Sequence, residues 1–526
     1  MAVKRSFMRS MSWRRIIVMV LLLAQILITI YFLYSRSQTS HIFNGILLFI
    51  SIVVALYVGG RHNNPAYRML WIMIILVFPI FGGIFYLLFN HQAFFGSYQK
   101  RLQDATLLVR PFFLYEGSPG EPHSAPPEER DTLSAASREW PDYATQMAYL
   151  EKHTGFPVYE HTAVEFLDSG EIFFDRVLAE IDKAEKYIFI ESFIIAEGRM
   201  FNTLLDKMEE KAKEGVLVRI MYDDIGCFWT LPKHYKQVLN AKGFECTVFG
   251  PFRPALSTLQ NNRDHRKIIS IDGKTAFTGG VNLADEYINE YEKFGHWRDS
   301  GVMLRGKGAW SLTLIFLHLW NFSNRIQEDI GAFYPWQEAP CREETDGYVQ
   351  PYADNPLDKE NAGELVYLQI INNSREYLYI NTPYLIVDHN IMSALKQAAQ
   401  SGVDVRIMTP HIWDKRLVHF TTRSYYRELI MAGIKIYEYT RGFNHSKTFA
   451  SDGKVGTIGT VNLDYRSLYL HFECGTVFYG SRAVLEVKEE FLRTLPSCQE
   501  ISLEDCKNRA FVRLLQDVAR IFAPLM

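Results

Sequence analysis

The first 92 residues are dominated by three long apolar runs: Ile16 to Tyr34, Ile42 to Val58 and Met69 to Phe89. Apart from tyrosines, the first is interrupted only by Gln25 and Thr29. The second is marginal in length, and the third is uncharged, although it contains Pro79, Gly82 and Gly83. About 20 apolar residues cross a bilayer core as a helix, and Pro and Gly are accepted there when neighbours satisfy the backbone. The first run is long for a signal peptide, and no small-x-small cleavage site follows it cleanly. The pattern predicts a transmembrane region over residues 1–92 with two to three membrane helices. Lys4, Arg5, Arg9, Arg14 and Arg15 precede the first run, and Lys100, Arg101 and Arg110 follow the third. Both clusters favour the cytoplasmic side. Three full spans cannot place both there, so the number of spans and their orientation stay open.

Residues 93–147 read as a linker. Glu116 to Arg138 combines Pro119, Pro122, Pro126 and Pro127 with Gly, Ser and acids, and has too few apolar residues to pack. From about Ala148 the period changes to strands alternating with helices. Tyr187 to Glu191 reads as a buried strand, Met200 to Lys213 as an amphipathic helix stopped near Gly215, and Val216 to Tyr222 as the next strand. The order returns as a strand at Tyr377 to Asn381, a helix at Ile391 to Gln400 and a strand ending at Met408. Gly215 to Met221 matches Gly402 to Met408 almost letter for letter. The chain therefore carries an internal repeat of about 180 residues. Its halves are 148–345 and 346–526, each an α/β unit with helices covering a sheet.

The repeat carries chemistry. Asp264 to Gly273 and Asn444 to Gly453 both contain His-x-Lys-x4-Asp-Gly. Six residues separate each Asp from a small pair, Gly279-Gly280 and Gly459-Thr460, and Asn282 and Asn462 follow, each before a Leu. In a strand, positions i and i+2 share a face, so His265 lies beside Lys267 and His445 beside Lys447. Lys and Asn neutralise and orient phosphate oxygens, while His attacks or shuttles a proton near neutral pH. Asp272 and Asp452 complete the motifs, but each sits at a turn five residues past its Lys. They read as supporting groups more than as proton carriers. Asp299 and Glu473 either orient the catalytic imidazoles through their second ring nitrogens or are ordinary strand carboxylates. His296 and His471 read as plain structural residues. Tyr287, Tyr291, Phe294 and Trp297 could line an approach for acyl chains, although core packing is the simpler reading for most of them.

The doubled motif resembles the phospholipase D superfamily. Tyr222-Asp223-Asp224-Ile225-Gly226, Asn261 to Lys267, Asp285-Glu286-Tyr287, Trp297-Arg298-Asp299 and Asn462 to Ser467 narrow the resemblance to bacterial cardiolipin synthases. It extends from about Leu70 to Pro524-Leu525. Cys227 departs from it, since a small polar residue is usual there, and the first apolar run looks like an addition. The resemblance implies two pseudo-symmetric phospholipase D-type halves whose motifs meet in one site. It implies a membrane enzyme with a cytoplasmic catalytic part that joins two phosphatidylglycerols into cardiolipin and glycerol through a phosphatidyl-histidine intermediate. His265, Lys267, Asp272, His445, Lys447 and Asp452 form its catalytic motifs, and His265 is the nucleophile. Asn282 and Asn462 bind the substrate, and Asp299 and Glu473 support the histidines. A phospholipid hydrolase, another phosphatidyltransferase and a membrane scaffold with a vestigial site are the alternatives. Both motifs being intact argues against the last.

Composition adds limits. The chain has 526 residues and a net charge of -3, which argues against a nucleic-acid binder. Its six cysteines, Cys227, Cys246, Cys341, Cys474, Cys498 and Cys506, contain no C-x-x-C pair and read as free thiols. No His, Asp and Glu cluster with metal-ligand spacing lies near the motifs, so no metal or other cofactor is expected. The C-terminal Arg509 to Phe522 places Phe511, Leu514, Leu515, Val518 and Phe522 on one helical face. Packing on its own domain is the favoured reading of that face over a membrane-surface helix.

Overall fold

The Asp-Gly pair of each motif closes a β-hairpin, and each sheet is built around that hairpin. Asp272 and Gly273 have φ of 52° and 66°, and Asp452 and Gly453 have 55° and 67°. Gly adopts this left-handed region freely and Asp tolerates it, which suits the pair to the tight reversal. The computed structural model describes residues 38–61, 64–78, 95–114, 132–252, 258–336, 346–358 and 360–526, with a few isolated positions between them.

The first half contributes β1 (Thr162–Leu167), β2 (Tyr187–Ser192), β3 (Leu217–Asp223), β4 (Glu245–Phe249), β5 (Ile268–Ile271), β6 (Thr275–Gly279), β7 (His296–Arg298) and β8 (Gly301–Gly306). The second contributes β9 (Tyr348–Asp354), β10 (Tyr377–Asn381), β11 (Leu385–Ile386), β12 (Asp404–Pro410), β13 (Lys435–Tyr439), β14 (Gly442–Asn444), β15 (Thr448–Ser451), β16 (Val455–Gly459), β17 (Leu463–Asp464), β18 (Glu473–Tyr479) and β19 (Cys498–Ile501). The first sheet runs β1-β8-β6-β5-β2-β3-β4, and the second runs β9-β18-β16-β15-β10-β12-β13-β19. Strand for strand the orders agree, with β19 added at the edge of the second. In both, the central pair β2/β3 or β10/β12 is parallel and the hairpin pairs antiparallel to its neighbours. The sequence repeat is thus a structural one. The central strands are buried on both faces, which explains their unbroken apolar runs.

The halves interlock. β7 of the first pairs parallel with β14 of the second, and Asp264 forms the matching bridge to Phe472. The helix Lys307–Asn324 packs on its own sheet and on β9, and Arg482–Thr494 packs on its own sheet and on β1. Lys307–Asn324 is buried almost throughout. One buried clamp crosses the junction. Arg298 donates from Nε to Glu490 at 3.0 Å, from Nη2 to the same carboxylate, and from Nη1 to Asn381 Oδ1 at 3.0 Å and to Asn444.

The chain divides into an N-terminal unit ending at Ser97 and a main body from Tyr98 to Pro524 that leaves out 252–260. In the N-terminal unit, helices Gln38–Gly59 and Pro65–Val77 pack together. Arg68 caps the end of the first through Gly59 O at 2.8 Å, and Asn64 caps the start of the second through Ala66 N–H at 2.9 Å. The first apolar run lies largely outside the described residues. The second run forms Gln38–Gly59, whose opening turns carry Gln38, Ser40, His41 and Asn44. The third run begins in a helix of 13 residues that stops at Val77, ahead of Pro79. A helix of that length covers about 20 Å, short of the ~30 Å hydrocarbon core. Among the described residues, no helix is long and apolar enough to cross a membrane.

The stretch 93–147 differs from a loose linker. Phe95–Val109, Arg110–Leu114 and Thr132–Glu139 are helical, while residues 116–131 lie outside the described residues. Leu102, Ala105, Val109 and Phe113 are buried, Trp310 Nε1 donates to Phe112 O at 3.0 Å, and Tyr159 donates to Phe113 O at 2.8 Å. The three- and four-residue spacing of those apolar positions is the signal the composition of the linker masked. Cys227, Cys246, Cys474, Cys498 and Cys506 are free thiols, and Cys341 lies outside the described residues.

Removing one partner of a buried ion pair strands the other charge, at about 3–5 kcal/mol. Arg298→Met is expected to lower stability to denaturant by that amount, and adding Glu490→Met should restore part of it. A single-variant loss within the scatter of surface substitutions would show that the clamp does not hold the halves.

Candidate active site

The two motif histidines are oriented by carboxylates from opposite halves. His265 Nδ1 lies 2.9 Å and 3.0 Å from the Glu473 oxygens, and His445 Nδ1 lies 2.6 Å from Asp299 Oδ2. Backbone bonds fix the same exchange: His265 N–H donates to Phe472 O at 2.9 Å, and His445 N–H to Arg298 O at 2.7 Å. A carboxylate only accepts, so each Nδ1 carries the proton and each Nε2 the lone pair. Thr460 donates to Glu473 Oε2. At the matching position a Cβ on Gly280 would fall 1.9 Å from Asp299 Oδ1, so only glycine admits that carboxylate. The small pair after each motif therefore serves the carboxylate that serves the histidine of the other half.

Lys267 and Lys447 lie in the same site. Lys267 Nζ donates to His265 O at 2.6 Å, and Lys447 Nζ donates to His445 O. Both ammoniums are buried. Burial, opposed by Glu473, pulls Lys267 down to about 8. Burial, opposed by Asp299 and aided by the Lys267 charge, pulls Lys447 down to about 7. Burial also holds the histidines low, His265 to about 3 against the pull of Glu473, and His445 to about 4 with Lys447 adding to the effect. Burial works the other way on Glu473, but His265 and His471 overcome it and keep that carboxylate well below its ordinary range. The result is two neutral imidazoles with free Nε2 lone pairs beside two buried cations, an arrangement that attracts an anion and can attack it.

The remaining candidates separate. Asp272 and Asp452, placed in the catalytic motifs as supporting groups, bind backbone N–H groups at the far end of the strand from the histidines. Asp272 lies at the end of β5 opposite His265 and accepts the N–H groups of Glu185, Lys186 and Tyr187 at 2.7–2.8 Å. Asp452 accepts those of Arg375, Glu376 and Tyr377 at 2.7–2.9 Å. Each carboxylate is spent on the loop that leads into the central strand. Asn282 accepts from Ile194 N–H at 3.0 Å and donates one amide hydrogen to Tyr287 Oη at 2.6 Å. Asn462 is buried, and its Oδ1 has no partner among the described residues. Tyr287 and Trp297 are buried core residues whose rings lie 5.6 Å and 5.2 Å from that of His445, whereas Tyr291 is exposed. Cys227 meets the role of a small polar residue by accepting from Ile195 N–H at 3.2 Å.

Three residues acquire a place that the sequence did not assign. His471 lies with its ring 5.5 Å from that of His265 and its Nδ1 3.6 Å from Glu473 Oε1. His265, His471 and Glu473 thus bring potential ligand atoms within 4.8 Å of one another, a cluster absent from the linear spacing. The Glu473 carboxylate is already committed to His265 and Thr460, and Lys267 stands nearby, so the carboxylate serves hydrogen bonds while His471 stands beside it at an electrostatic distance. His296, by contrast, stays at the junction, where Tyr439 Oη lies 3.0 Å from its Nδ1. Behind the first motif, Glu191 on β2 is buried near Asp264, which is itself pushed up to about 6 by burial. Burial and then the Asp264 charge push Glu191 well above the usual carboxylate range. The corresponding pair in the second half is Asn381 and Asn444, held by Arg298. The halves share their backbone and differ in charge.

Two expectations follow from this geometry. Glu473→Gln and Asp299→Asn should each lower kcat by about 10²–10⁴-fold with the fold intact, because the amide no longer fixes the imidazole tautomer. Steady-state kinetics with a folding control by circular dichroism checks this. The anion-binding form of each lysine is the protonated one, and these lysines lose their protons between about pH 7 and pH 8. The kcat/KM profile should therefore fall as pH rises through 7 to 9, while the histidines stay neutral down to about pH 4. A basic limb only above pH 10 would show lysines with ordinary basicity.

The family profile described as "Cardiolipin synthase, PLD-like domain" matches residues 177–293 and 367–495, one segment in each half and each enclosing one motif. The profile "Phospholipase_D-nuclease N-terminal" matches residues 46–89. An uncharacterized protein of Streptococcus mutans is 40% identical over 473 residues, covering 90% of this chain and 99% of that one. A cardiolipin synthase of Geobacillus kaustophilus is 35% identical over 483 residues, covering 90% of this chain and 92% of that one. Among solved structures, the phosphatidylserine synthase of Haemophilus influenzae superposes with a TM-score of 0.55 at 16% identity, over 70% of this chain and 96% of that one, a likeness of fold. Both halves, both motifs and nearly the full length of its relatives being matched, the chain belongs to the cardiolipin synthase family of phospholipase D-like proteins.

Proposed function

We propose that this enzyme transfers a phosphatidyl group from one phosphatidylglycerol to another, giving cardiolipin and glycerol. The observation that carries the proposal is the pair of neutral histidines, each held by a carboxylate of the other half, with a buried lysine beside each. His265 Nε2 attacks phosphorus. The N–P bond forms as the P–O bond to glycerol breaks, and His445 passes a proton to the departing oxygen. The second lipid's primary hydroxyl then gives its proton to His445 and takes the phosphatidyl group from His265, the reverse of the first step. The bound phosphodiester anion raises the proton affinity of His445 and of both lysines, so the acid is charged when substrate is present. Lys267, Lys447 and the amides of Asn282 and Asn462 hold the non-bridging oxygens. Lysines supply the positive charge, so turnover needs no divalent metal.

The acceptor must be a lipid alcohol in competition with water, so the site belongs at a bilayer. We place residues 1–92 in the membrane as two to three helices, 93–147 as a connecting segment, and the halves 148–345 and 346–526 on the cytoplasmic side. The outward residues of Gln38–Gly59 support this: Ile46, Phe49 and Leu56 are 52%, 68% and 72% exposed in a chain segment without a single charge.

Purified protein in vesicles of phosphatidylglycerol is expected to release cardiolipin and glycerol in equal amounts, in the presence of a chelator, as read by mass spectrometry. Phosphatidic acid as the main product would make the enzyme a hydrolase. His265→Ala and His445→Ala should each lose at least ~10³-fold in kcat, with the double variant little worse, because the two act as one unit. Half the activity in each single variant would mean two independent sites.

A further inference from the structure

The C-terminal helix Ala510–Ile521 packs on the body by a face other than its apolar one. Its buried positions are Gln516 and Ala519, and Arg520 beside them donates to Glu428 and stacks over the Tyr425 ring at 4.3 Å. That face meets the helix Arg416–Met431. Phe511, Leu514, Leu515, Val518, Ile521 and Phe522 form a separate stripe, and all are exposed, from 69% at Phe511 to 37% at Phe522. Packing of the stripe on its own domain, the expectation from sequence, is therefore corrected. Several large apolar side chains in one continuous stripe facing water imply a partner that excludes it.

We propose that this helix is an interfacial anchor that lies in the surface of an anionic bilayer and seats the body on its lipid. The inference rests on the lipid-substrate reading above. Charge selects the occupant. Lys507 pairs with Glu504 and Arg520 with Glu428, which leaves Arg509 and Arg513 against the single acid Asp517 as the unpaired charges of the helix, in a chain whose net charge is -3. Arg509 and Arg513 are exposed and form no salt bridge among the described residues. An apolar stripe on one face with exposed arginines on the polar remainder of the helix is the pattern of a helix buried about 5–10 Å into the headgroup boundary. Phosphatidylglycerol supplies the opposite charge, and it is the proposed substrate. A helix held parallel to the bilayer at the C-terminal end adds a second attachment to the N-terminal one, which restrains the tilt of the site relative to the lipid.

The test uses the full chain with Phe511→p-benzoylphenylalanine, irradiated in vesicles of phosphatidylglycerol. The expected result is a lipid adduct on the peptide containing position 511, at severalfold lower yield in phosphatidylcholine vesicles. An adduct to a second copy of the chain, or none above that in detergent, would overturn the anchor. Equal yields in the two lipids would overturn its anionic preference. A second variant, Phe511→Ser with Leu514→Ser, should lose about tenfold in turnover on vesicles and retain turnover on short-chain monomeric phosphatidylglycerol. Equal loss on both substrates would also overturn the proposal. Cross-linking does not depend on turnover, so an enzyme that makes no cardiolipin would refute the function while leaving the anchor separately testable.

Discussion

Glu473 and Asp299 reach across the junction between the halves, and the rest of the site depends on that exchange. Neither half holds a complete catalytic histidine. The motif of the first half supplies His265, but the carboxylate that fixes its tautomer arrives on β18 of the second; Asp299 of the first half does the same for His445. The exchange explains features that look unrelated along the chain. Gly280 leaves room for Asp299, Thr460 holds Glu473, β7 pairs with β14, and Lys307–Asn324 and Arg482–Thr494 each pack on the edge strand of the other half. A carboxylate at 2.6–3.0 Å from a buried ring nitrogen tolerates little displacement, so docking of the halves must be as exact as folding within either.

Among the described residues no carboxylate lies directly on either lysine ammonium, and burying two cations in that way is costly. Each Nζ donates to the carbonyl of its own histidine two residues away, which fixes position without neutralising charge. The lowered proton affinities express the strain of cations awaiting an anion. Fixed cationic donors that are buried are worth most to an anion, because little water screens them. The histidines, kept neutral by the same burial, stay available to attack.

The two sides are matched in backbone and unequal in chemistry. His265 has a second imidazole, His471, beside its carboxylate and the acids Glu191 and Asp264 behind its strand. His445 is walled by Tyr287, Trp297 and Phe443 and backed by amides. Two copies of one motif can therefore divide a reaction whose steps need a nucleophile and a proton carrier. A lipid enzyme also has to meet its substrate at an interface, and the charge-free N-terminal helix and the exposed stripe of the C-terminal helix place apolar surface at the two ends of the chain.

Much of this was legible in the residues alone. The repeat, the strand and helix order of the halves, the shared face of His265 and Lys267 and the turn at Asp-Gly all arise from local rules: period, β-alternation and the conformations open to Asp and Gly. What the residues could not state was which carboxylate serves which histidine. Glu473 lies 208 residues from His265, and the pairing exists only because the sheets dock as they do. For the same reason His471 read as a bystander, the metal-ligand spacing test missed a cluster formed across the junction, and Asp272 and Asp452, read as supporting groups at a turn, had no named partners until their hydrogen bonds to the backbone were seen. The apolar stripe at the C-terminus was plain in the sequence, but only tertiary packing decided that the helix would rest on Gln516 and Ala519 and leave the stripe open. Local sequence sets which faces an element has; the contacts between elements decide which face is used.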